Sequence, residues 1–138
     1  MAAKDIYHQH VRHALEKDGW TITHDPLSVQ WLGKVLQIDL GAERIIAAER
    51  GEEKIAIEVK SFLSPSPIED LRDAIGQFII YREALFNANS PRQLFLALRE
   101  DVYTDIFEKD EGEQLRVRAA IKLIVFHVEN EEIIKWIN

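Results

Sequence analysis

The stretch Lys54-Ile55-Ala56-Ile57-Glu58-Val59-Lys60 decides the fold. Its residues alternate, with Ile55, Ile57 and Val59 on one side and Lys54, Ala56, Glu58 and Lys60 on the other, which is the two-residue period of a β-strand. Immediately before it, Arg50-Gly51-Glu52-Glu53 reads as a hairpin turn, and residues 44–49 read as the strand that enters that turn. Immediately after it, Ser64-Pro65-Ser66-Pro67 is a loop whose second proline sits where the first turn of a helix tolerates proline. Residues 68–86 then carry Ile68, Leu71, Ile75, Phe78, Ile79, Leu85 and Phe86 at helical spacing, a wide apolar stripe. Residues 93–98 are almost wholly apolar and suit a strand buried on both faces.

Working outward, residues 4–18 read as a first helix, with Asp5 as its N-cap and Gly19 as its stop. Residues 20–23 form a short strand, and His24-Asp25-Pro26 a turn, because the residue before proline avoids helical geometry. A strand over residues 35–40 carries Asp39, and Gly41 permits a bulge beside it. Toward the C-terminus, residues 102–107 and 113–120 read as short helices. Residues 122–128 and 132–137 read as strands closed by a turn at Glu129-Asn130-Glu131. This order predicts a mixed α/β sandwich with helices covering a sheet. The 138 residues suit a single domain over 1–138.

Composition narrows the classes further. Hydrophobic residues make up 46% and charged residues 30%, the balance of a water-soluble domain with a real core. Cysteine is absent, which excludes disulfides and thiolate metal sites. No secretory signal is visible, and no apolar run approaches membrane length, so a cytoplasmic location is the default expectation. The net charge of −7 argues against a high-affinity, stand-alone DNA binder, since phosphate recognition draws on basic patches. It leaves room for a carboxylate-rich metal site, and for DNA delivered by a partner. Gly-rich phosphate loops and acyl-transfer motifs are missing.

One constellation carries chemistry. Phosphodiester hydrolysis needs charge stabilisation and an activated water, and Mg²⁺ supplies both when two carboxylates hold it with positions left open. A nearby amine stabilises the developing charge. Glu58 and Lys60 project from the same face of one strand, and Asp39 lies on the preceding strand system. Alternating polar residues on a strand are, by themselves, most often a solvated face. Gln77 and Tyr81, four apart, share one face of the long helix and are expected opposite its apolar stripe. They read either as a surface amide and a rim aromatic, or as groups that hold a phosphate above the metal site.

Asp39, Glu58-Val59-Lys60 and Gln77-Phe78-Ile79-Ile80-Tyr81 together resemble the PD-(D/E)xK nuclease superfamily, whose RecB-like members carry a Gln-x-x-x-Tyr helix after the Glu-x-Lys strand. That resemblance implies a restriction-endonuclease-like mixed sheet flanked by helices, and Mg²⁺- or Mn²⁺-dependent DNA cleavage with the acidic pair as ligands. The runs Lys17-Asp18-Gly19-Trp20-Thr21-Ile22-Thr23-His24-Asp25-Pro26, Ile38-Asp39-Leu40-Gly41-Ala42-Glu43 and Ile57-Glu58-Val59-Lys60-Ser61-Phe62 are similar to the XisH family, the fdxN element excision controlling factors of filamentous cyanobacteria. This closer resemblance spans nearly the whole chain. It implies a part in excising a DNA element during heterocyst development, alongside a separate recombinase and a small companion protein, XisI. Glu43 rivals Asp39 as the first carboxylate, because related nucleases place that ligand nearer the following strand.

The remaining candidates have plainer readings beside the functional ones. His8 matches a position where such nucleases supply a metal-site residue, yet it shares a helix face with Val11 and Leu15 and reads more simply as a core or capping histidine. His10 and His13 are spaced to share a metal, with no third ligand near them in sequence. Trp20, Trp31 and Trp136 default to core packing. The acidic run from Glu108 to Glu113 is a solvated loop. Two functions remain: a metal-dependent endonuclease, or a nuclease-fold regulator without catalysis. A homodimer is consistent with the open edge of the closing hairpin.

Overall fold

The computed structural model describes residues 2–36 and 45–138, with side chains for 7–36 and 47–138. The chain runs α1 (Ala2–Lys17), β1 (Thr21–His24), a small hairpin of β2 (Gln30–Trp31) and β3 (Lys34–Val35), then β4 (Ile45–Arg50) and β5 (Glu53–Val59). There follow α2 (Pro67–Asn87), β6 (Gln93–Arg99), and α3 (Glu100–Val102), which widens into a π-helical turn at Tyr103–Phe107. The chain closes with α4 (Asp110–Ala119), β7 (Leu123–His127) and β8 (Glu132–Ile137).

Six strands form one mixed sheet in the order β1-β4-β5-β6-β7-β8. The expected mixed α/β architecture is therefore present. Gly51 turns the β4–β5 hairpin in a left-handed conformation with φ +61°. β5 and β6 pair in parallel, with Glu58 opposite Leu96, and α2 supplies the crossover that parallel neighbours require. β6 and β7 are also parallel, while the closing β7–β8 hairpin is antiparallel.

α2 starts where its sequence marks a start. The Ser66 side chain accepts a hydrogen bond from the Glu69 N–H, and Pro67 opens the first turn. Its rotation differs from the expected one. The face against the sheet is Asp70, Ala74, Phe78, Tyr81, Ala84 and Leu85, whereas Ile68 and Phe86 are 70% and 79% exposed. Tyr81 thus lies within the apolar stripe, not opposite it.

Each face of the sheet has its own core. Val11, Leu15 and Trp20 pack on Ile57, Val59, Phe95 and Phe126 on the α1 side. Ala74, Phe78 and Tyr81 pack with Ala56, Leu96 and Leu98 on the α2 side. Every residue of β5 from Ile55 to Val59 is buried, so the side bearing Glu58 is roofed by α2 and is not the solvated face that alternation alone suggests. The strand expected over residues 35–40 lies mostly outside the described residues, β3 ending at Val35.

Candidate active site

Glu58 has no exposed surface. It follows Ala56 by two residues, and Ala56 belongs to the core beneath α2, so the Glu58 side chain enters the layer between sheet and helix. Lys60 lies just past the end of β5, half-buried, with its backbone N–H donating to the Ala97 carbonyl at 3.3 Å. Gln77 and Tyr81 descend from α2 into the same layer. Tyr81 is 1% exposed, and the buried Gln77 Oε1 has no hydrogen-bond donor among the described residues. Glu58, Gln77 and Tyr81 therefore share one interior layer, with Lys60 at its rim. Asp39 and Glu43, the two rivals for the first carboxylate, lie outside the described residues. Among the described residues no set of three His, Cys, Asp or Glu side chains is arranged to hold a metal ion.

The loop leaving Lys60 is braced from two sides. Arg99, at the end of β6, donates to the carbonyls of Ser61 at 2.9 Å and Phe62 at 3.2 Å. Its guanidinium lies 4.8 Å from the centre of the Tyr7 ring. Phe62 is held at φ +54°, a left-handed conformation unfavourable for a bulky residue, and those bonds offset the strain. From the other side, the buried Asp70 carboxylate accepts the Ser64 N–H at 3.1 Å. Arg99 and Asp70 escaped the sequence reading. The only signal was a cation closing the apolar run of β6 and an acid in the first turn of α2.

His8 is buried at 4% exposure, and its Nε2 lies 2.8 Å from Asp25 Oδ2. A carboxylate only accepts, so Nε2 carries the proton and is not available as a metal donor. Arg12 also bonds the Asp25 carboxylate. Burial alone would raise the Asp25 carboxyl, but the hydrogen bonds from His8 and Arg12 outweigh it and hold the group below its ordinary range. His10 and His13 both bond Glu131, at 2.8 and 3.1 Å. These bonds, His13 first, hold the Glu131 carboxyl below its usual range. The pair thus ties α1 to the β7–β8 turn.

The XisH family, described as XisH protein, matches residues 1–134. No functionally curated protein matches the chain. Among solved structures, an XisH family protein from Nostoc punctiforme PCC 73102 is 44% identical, with a TM-score of 0.89 over 97% of this chain and 100% of that one. A fdxN element excision controlling factor protein from Anabaena variabilis is 42% identical, with a TM-score of 0.88 over 97% of this chain and 99% of that one.

Proposed function

The chain belongs to the XisH family, and from that premise we propose that it is a metal-dependent DNA endonuclease of PD-(D/E)xK type that controls programmed excision of a DNA element, the fdxN element, during heterocyst development. One observation carries the reading. Glu58 and Tyr81 are buried between the sheet and α2, the Oε1 of half-buried Gln77 is buried on the same helix, and Lys60 lies just past the strand, the residues that the Glu-x-Lys strand and Gln-x-x-x-Tyr helix of that superfamily would bring together.

The donor chemistry fits a hard divalent cation, Mg²⁺ or Mn²⁺. Glu58 is a fully buried carboxylate and Gln77 Oε1 a further buried oxygen, the hard donors that such a cation takes. Glu58 would hold the cation with Asp39, or with Glu43. A cation bound there stabilises charge on the scissile phosphate and makes water more acidic. Lys60 would orient the attacking water and meet a phosphate oxygen with its ammonium. Gln77 and Tyr81 position the substrate backbone, and α2 excludes bulk water from the Glu58 side. Arg99 and Asp70 keep the loop after Lys60 in one conformation, so the amine is pre-positioned.

The test is cleavage of single-stranded, duplex and branched DNA with Mn²⁺. Replacing Glu58 and Lys60 together by alanine is expected to lower the rate at least about 100-fold, with the circular dichroism spectrum unchanged. Equal rates in wild type and double variant defeat the assignment.

The net charge of −7 favours a second reading, a catalytically silent member of the fold that binds a companion such as XisI and modulates a recombinase. Under it, DNA reaches the complex through the partner, and the chain itself takes up no cation.

A further inference from the structure

At the opposite end of the sheet from Lys60, where β5 and β6 begin, a hollow of about 620 Å³ on the α1 face and one of about 240 Å³ on the α2 face meet over the strand ends at Gln93 and Lys122, which line both. The smaller is lined by Arg82, Arg92 and Lys122, with no acidic side chain among its described lining. The larger adds Arg50 and Lys54 against Glu52 and Glu53. Part of this charge is matched internally. Arg50 bonds Asp18 and Glu53, and Arg92 bonds Glu49. Arg82 instead donates to the carbonyls of Ala119 and Ala120, and Lys122 to the side-chain oxygen of Gln93, so those contacts leave both charges standing. Lys54 is exposed beside them. In a chain of net charge −7, this is a local reversal of sign.

The smaller hollow carries an aromatic face that core packing does not explain. Phe86 is 79% exposed and lines the smaller hollow with Arg82. Half-buried Trp136 lines the larger one but packs on Trp20 and Phe95 as part of the α1-side core. A ligand that needs spaced cations and flat apolar faces together is a nucleic-acid strand with unpaired bases. Duplex DNA offers the charge but keeps its bases stacked inside.

We propose that this groove binds a short single strand of nucleic acid, with phosphates on Lys54, Arg82 and Lys122 and a base stacked on Phe86. Adjacent strands lie about 4.8 Å apart, so the strand ends from β5 to β7 span about 10 Å before the path turns onto the α2 face toward Phe86. The groove uses neither Glu58 nor a cation, so it stands or falls apart from the nuclease reading.

The experiment is fluorescence anisotropy of a labelled oligothymidine of about ten nucleotides against the full chain carrying Glu58→Gln, in EDTA, over a range of salt. Three neutralised phosphates predict a log–log salt slope of about −2, and Lys54→Gln with Lys122→Gln should bring it to about −0.7. Phe86→Ala should weaken binding at least about fivefold and leave the slope unchanged. Phe86 and Lys54 are exposed, so these changes spare the fold. Absent binding, binding indifferent to all three substitutions, equal affinity for duplex, or equal displacement by polyglutamate each overturns the proposal. The last of these would mark the groove as a general acceptor of acidic polymers.

Discussion

Where β5 and β6 finish, Glu58 is wholly buried, Ser61 is 3% exposed, and Arg99 is stacked on Tyr7 and bonded to two carbonyls. Where the same strands begin, Arg50 and Lys54 are exposed, and Phe86 stands in solvent beside Arg82. The first end immobilises a few polar groups in a layer of low dielectric, where a single charge has large effects. The second presents flexible cations and a flat ring in water, where each contact is weak and several must act together. One sheet thus separates a place suited to chemistry from a place suited to loose grip. The overall charge conceals the second, because acids elsewhere outnumber its cations.

Stability should sharpen the contrast most. Tyr81→Ala removes a ring packed beneath α2 and should cost about 3–5 kcal/mol in urea unfolding, while Phe86→Ala, five residues along the same helix, should stay within about 0.5 kcal/mol. Similar losses for the two would mean that α2 is rotated differently from the structure described.

A smaller effect should follow pH. Asp25 is held below its ordinary range by His8 and Arg12, so the folded state binds that proton less readily than the unfolded chain. Its contribution is present above the unfolded value, near 3.8, and is lost as pH falls through the lower folded value. Unfolding free energies at pH 5 and pH 3 should therefore fall more steeply for wild type than for Asp25→Asn. A steeper fall in the variant would contradict the pairing. The groove end, whose lining includes none of His8, Arg12 and Asp25, should be indifferent to the substitution.

Element order was legible because β5 has a two-residue period, and because Ser66, Pro67 and Gly51 punctuate the chain where α2 and the β4–β5 hairpin begin and turn. The rotation of α2 was not legible. Its buried stripe contains Ala74, Ala84, Asp70 and Tyr81, residues that hydropathy ranks below the exposed Ile68 and Phe86. Small alanines let the helix approach the sheet closely, a preference of packing and not of transfer energy. Glu58 and Lys60 could be picked out by spacing, but their setting depends on α2 roofing that face. Arg99 acts on Ser61 across 38 positions, a contact no local pattern reports.

The most direct measurement is Mn²⁺ binding by calorimetry to wild type and to Glu58→Gln, each compared with Phe86→Ala as a control at the far end of the sheet. One site per chain is expected in wild type and in Phe86→Ala, and none in Glu58→Gln. Undiminished binding in Glu58→Gln would contradict the assignment of the buried carboxylate as a metal ligand.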